Sequence, residues 1–168
     1  MTACLMSPAD VGLLIVDETT SGVGDEARRI LAKLREIAIQ YLTAPGTSAT
    51  FRSSIEAVLD AAAEAKNENW DGSGSAPISE AAATNAIRLL RHIPGTIPVP
   101  DAFADSHGDL VLDWSRSPRC TFSVAVSSRG ELHFAGIFGS SRLHGREPFF
   151  TDELPDQIRS GLLRVFRD

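Results

Sequence analysis

The chain has 168 residues, 43% of them hydrophobic, which suits one globular domain with a core of useful size. Its formal net charge of −6 opposes electrostatic capture of nucleic acid, which needs a basic face to displace counterions. The apolar run at 11–16 is too short for a signal peptide or a membrane span, so the chain reads as cytoplasmic, with no membrane contact.

Taken in chain order, Ser7-Pro8-Ala9-Asp10 has the form of a helix start, with Ser at the cap and Pro at the first helical position, and predicts a short helix. Residues 25–42 give the clearest helical pattern. Ile30, Leu34, Ile37, Ala38 and Tyr41 recur at helical spacing, and Thr43-Ala44-Pro45-Gly46 ends the run. A second helix is expected over about 50–69, on Phe51, Ile55, Val58, Leu59 and Ala62; Ser53 and Glu56 have capping-box spacing. Residues 79–92 predict a third, stopped by Pro94-Gly95, after which Pro98 and Pro100 keep the chain extended.

From Asp109 onward the period changes to two. Leu110, Leu112 and Trp114, then Cys120, Phe122, Val124 and Val126, then Leu132, Phe134, Gly136 and Phe138 each alternate with residues for a second face. Residues 115–118 and 127–130 supply turns, so three strands form an antiparallel meander. Residues 139–150 read as a Gly- and Arg-bearing loop that could hold a fourth edge strand, and 155–166 close the chain as a helix. The expected fold is a single α+β domain over 1–168, with helices on one face of a small antiparallel β-meander and an N-terminal helical hairpin or arm. Residues 1–46 form that arm if they stand apart from the rest. The stripe containing Leu34 and Tyr41 then becomes a partner surface; otherwise it is core.

The segment NWDGSGSAPIS at 69–79 joins the second and third helices. Gly72 and Gly74 allow a tight path, and Trp70 supplies a large apolar surface with one N–H donor. A glycine-bearing loop before a helix invites an anion, but this one lacks Lys and a preceding strand, so the phosphate-loop and dinucleotide fingerprints fail. His92 ends a helix, where imidazolium suits the dipole. His107 shares a turn with Asp105 and Ser106, and sequence adjacency argues for a solvated turn over a catalytic chain. His133 lies opposite Leu132 and Phe134, on a face that is either solvent or a groove with Thr121 and Ser123. His133, His144 and Asp113 do not have the spacing of a recognised metal site, so no metal and no cofactor are expected. Arg142, His144 and Arg146 form a small basic cluster near Phe149 and Phe150, suited to a solvated loop or to contact with a phosphate or an acidic partner. Cys4 and Cys120, the only cysteines, read as unpaired thiols in a reducing compartment.

The 69–79 segment, the Pro-x-Pro at 98–100 and Gly108-Asp109-Leu110-Val111-Leu112-Asp113-Trp114 together resemble a pattern of small bacterial proteins, NWDGxG…PIS…LxW, over roughly 67–166. Ser73 and Ser75 stand where Tyr or another residue and Ala are usual in that pattern, and Gly-Asp replaces Asp-Gly. The resemblance carries no catalytic residues. It implies an antitoxin-like, immunity or inhibitor role within a bacterial or phage gene pair. The expected function is therefore a non-catalytic protein-binding module whose partner is another protein, such as a toxin or effector. Trp70, Asp71, Leu34, Tyr41, Arg142 and Arg146 are its candidate binding residues. Two alternatives are a small hydrolase or nuclease using His107 or His133 with a nearby carboxylate, and a homo-oligomeric scaffold formed through a strand edge or the N-terminal arm.

Overall fold

The computed structural model describes residues 24–149 and 153–166; the expected short helix near the N-terminus, Cys4 and Phe150 lie outside them. Helix α1 (Asp25–Leu42) has the predicted bounds. Its stripe is buried at Leu34 and Ala38, each fully inaccessible, and it packs on α2 and α3. Thr43 closes it by donating its hydroxyl to the Ile39 carbonyl at 2.8 Å.

Helix α2 (Ala49–Glu64) begins and ends earlier than its pattern suggests. The cap is Ser48, whose hydroxyl accepts the Phe51 N–H at 3.1 Å; the Ser53–Glu56 pair lies inside the helix. At the other end the Ala65 carbonyl is taken by Ile78 N–H at 2.8 Å, and Asn69 adopts a left-handed φ of 57°, so residues up to 69 cannot continue the helix. Helix α3 (Glu80–Arg91) follows, with Ser79 and His92 at its caps.

Five strands form one sheet in the order β1-β2-β3-β4-β5, every neighbour antiparallel: β1 (Asp101–Ala104), β2 (Leu110–Ser117), β3 (Cys120–Val126), β4 (Glu131–Phe138) and β5 (Ser141–Pro148). Strand β1, in the chain after Pro100, goes beyond the expected strands, and β5 is the fourth edge strand that the sequence allows within 139–150, at full length. Helix α4 (Asp156–Phe166) completes the helical layer, in which α2, α3 and α4 contact the sheet and α1 packs on α2 and α3. The sheet supplies Leu110, Leu112, Trp114, Phe122, Val124, Val126, Leu132 and Phe134 to the core. Each such side chain contributes about 1.5–3 kcal/mol on burial. Phe122 lies at the centre: its ring packs with Phe134 and Phe138 and fills the space left by Gly136 on β4 and Gly161 on α4. Trp114 is buried with its indole N–H bonded to the Pro98 carbonyl at 3.0 Å, tying the Pro-rich segment to the sheet. No helix among the described residues is long and apolar enough to cross a membrane.

Candidate functional site

The 69–79 segment is held by its own side chains. Asp71 Oδ1 accepts the N–H groups of Ser73 (2.9 Å) and Ser75 (3.3 Å), and Oδ2 accepts the Ser75 hydroxyl at 2.6 Å. Asn69 Oδ1 accepts Gly74 N–H at 2.6 Å. The Ser75 hydroxyl, then the Ser73 amide, hold the Asp71 carboxyl below the ordinary carboxylate value. The amides of Ser73, Gly74 and Ser75 are therefore already occupied and are not offered to an external anion. Trp70, half-buried, donates its indole N–H to Ala76 O at 3.2 Å. The segment then docks on the β1–β2 turn through Ala76 N–H to Ser106 O (3.1 Å) and Ser79 N–H to Gly108 O (2.9 Å). Gly108 is obligatory there: its φ is +80°, and an added Cβ would stand 2.4 Å from the Pro77 carbonyl oxygen. Trp70 and Asp71 thus brace the segment, and the Ala76 and Ser79 amides clamp it to the β1–β2 turn. Asp71 lies on the surface, bonded to serines rather than to a histidine.

Among the described residues, neither His107 nor His133 sits in a proton relay. His107 is exposed, and its Nδ1 faces both Ser106 Oγ (3.4 Å) and Asp105 Oδ2 (3.8 Å). A nucleophile–base–orienter chain needs the two partners on opposite ring nitrogens. Asp105 Oδ1 instead accepts the N–H groups of His107 (2.8 Å) and Asp109 (3.0 Å), closing the turn. Burial, and then the neighbouring Asp105 carboxylate, push Asp109 above its ordinary value. His92 caps α3 and packs edge-on against Phe149, centroids 6.4 Å apart. His133 Nε2 lies 3.7 Å from Glu131 Oε2. Among the described residues no three His, Cys, Asp or Glu side chains are placed to hold a metal ion. Cys120 carries a free thiol, its Sγ 3.6 Å from the Val165 carbonyl oxygen.

What remains is the sheet face away from the helices. Cross-strand partners share a face, so the register writes its rows directly. One row runs Phe103, Val111, Ala125, His133, Arg146; the next runs Asp101, Asp113, Ser123, Ala135, His144; a third runs Ser115, Thr121, Ile137, Arg142. The Ser123 hydroxyl donates to the Asp113 carboxylate within the middle row. Phe103 and Ile137 are 47% and 40% exposed. The face grades from acid at β1 and β2 (Asp101, Asp113), through small and apolar residues, to Arg142, His144 and Arg146 along β5. Arg146 approaches Glu131 at only 3.9 Å, and both are accessible.

The candidate binding residues separate into three places. Leu34 is sealed in the core, where it cannot meet a partner in this conformation. Tyr41 is half-buried, edge-on to Phe51 with ring centroids 6.2 Å apart, and the Arg91 guanidinium lies 5.7 Å from its centroid. Trp70 and Asp71 brace the clamp, and only Arg142 and Arg146 reach the open face. Phe103, Val111 and Ile137 also belong to that face and carry no chemical motif; period-two alternation was the one signal that pointed outward. The cleft beside Phe51, Pro94 and Trp114 encloses about 220 Å³ including open solvent. That is below the roughly 300 Å³ at which small-molecule sites begin. No protein-family model, curated protein or solved structure matches the chain.

Proposed function

We propose that the chain is a non-catalytic protein-binding module that docks its partner on the open face of the sheet, acting in the cytoplasm as the antitoxin-like, immunity or inhibitor member of a gene pair. The observation that carries this reading is the charge-graded sheet face that no described helix covers. Phe103 and Val111 share β1 and β2 with Asp101 and Asp113, Ala125, Ala135 and Ile137 follow on β3 and β4, and Arg142, His144 and Arg146 line β5. A surface of this kind offers apolar anchors within a polar rim, the usual anatomy of a docking patch. Its charge gradient orients a partner and speeds encounter.

The test is co-expression with the neighbouring gene product, followed by light scattering and titration calorimetry. Phe103→Ser and Ile137→Asp point away from the core, so melting temperatures should stay close to that of the parent. Binding should fall at least about tenfold for each, the scale of an interface anchor. Two gene products that never associate, or an unchanged affinity in both variants, would contradict the reading.

A further inference from the structure

Among the described residues, strand β5 is one of the two edges of the sheet. The Phe149 amide donates to the Gly130 carbonyl at 2.7 Å, which makes that pair hydrogen-bonded. Continuing the β4–β5 register from it, residues 141, 143, 145 and 147 exchange backbone bonds with β4, while 142, 144 and 146 direct their N–H and C=O groups to the free edge. These same three residues put their side chains on the open face. Arg142, His144 and Arg146 therefore each combine an outward-facing peptide group with a basic side chain, at every second position of an exposed strand. Among the described residues neither the Arg142 nor the His144 side chain has a hydrogen bond or ion pair, and Arg146 has only its loose approach to Glu131.

We propose that β5 takes up an acidic strand of the partner protein by edge addition, extending the sheet by one strand. The inference rests on the protein-binding reading above and specifies the chemistry of the partner. Residues directly opposite Arg142, His144 and Arg146 in an added strand share their face, so the partner presents Asp or Glu at three alternate positions. The intervening partner residues lie beside Leu143 and Gly145 on the other face and are apolar or small. A second copy of this chain is a poor occupant. Antiparallel pairing of two β5 strands about His144 sets Arg142 against Arg146, and β1 offers one acid, Asp101, over four residues. The cations that keep two copies apart thus select an anionic strand. With a chain charge of −6, the attraction is local and depends on ionic strength.

The experiment uses the ¹⁵N-labelled full chain, titrated with a capped alternating Glu–Val pentapeptide, its Lys–Val counterpart and an oligothymidine, at about 20 mM and about 300 mM NaCl. The Glu–Val peptide should shift the amides of 142, 144 and 146 and slow their hydrogen exchange. The amides of 143, 145 and 147, already paired with β4, should gain no protection. Its affinity should fall about tenfold at the higher salt. The Arg142→Glu, Arg146→Glu double variant should transfer preference to the Lys–Val peptide. His144→Pro removes an outward N–H at an edge position that tolerates proline, and should lose the peptide while retaining its circular dichroism; if it unfolds, the charge reversal carries the test alone. Equal binding of either counter-probe, binding without protection of those three amides, or no binding at millimolar peptide would overturn strand addition. Shifts confined to Phe103, Val111 and Ile137 would also overturn it, while leaving docking on the open face intact.

Discussion

Single residues in this protein are fixed by what they exclude or hold. Gly161 lies within α4, where Ala is ordinarily preferred by about 1 kcal/mol. Here an added Cβ would stand 2.4 Å from the buried Phe122 ring, so overpacking outweighs propensity. Gly161→Ala should lower stability by about 1–2 kcal/mol in urea unfolding, and a gain would show that the Phe122 ring has room to move. Asp71 makes a pH-dependent contribution. Its folded-state value lies below 3.8, so its stabilisation is fully present above that pH and is lost as pH falls through the depressed value. Asp71→Asn should therefore melt at a lower temperature than the parent at neutral pH, with the two curves converging well below pH 3.8. Asp109 works in the opposite sense: its raised value gives a contribution present at low pH and lost as pH rises through it.

Elements were legible where one face alone is buried. Helix α1 showed itself by a stripe and a Pro-Gly stop, and β2, β3 and β4 by strict alternation of buried apolar residues. Strand β5 shows only weakly in the sequence because an edge strand covers little core. Its inward positions are Leu143, Gly145 and Glu147, and Gly145 must stay small because an added Cβ would stand 2.5 Å from the Phe134 ring. Strand β1 hid in four residues after a run of prolines. The open face could be foreseen at His133 by parity alone. Which side chains share a row could not, because register depends on the two-residue turn at Gly139-Ser140 and on the irregularity between Ser115 and Ser117. Helix α2 ends short of its periodic pattern for a similar reason: the long-range bond from Ile78 N–H to Ala65 O stops it, and helical periodicity does not reveal such a bond. The 69–79 clamp couples two elements, and Gly108 is its closest contact. Gly108→Ala should cost at least about 2 kcal/mol, from a left-handed backbone and a clash with Pro77. A melting temperature equal to that of the parent would show that the clamp yields easily.

On the scale of the whole molecule, the helices spend their apolar faces on one side of the sheet, and the clamp fixes that layer in place. The other side is left with a row order running from acid to base and with two exposed large apolar side chains. The helical layer also exposes isolated apolar residues, Ile39 at 44% and Leu163 at 42%, which provide an internal comparison. Hydroxyl-radical footprinting of the chain, alone and with the neighbouring gene product, reads the accessibility of all four side chains at once. Phe103 and Ile137 should be protected in the complex, with Ile39 and Leu163 unchanged. Protection of Ile39 or Leu163 while Phe103 and Ile137 stay fully reactive would contradict docking on the open face.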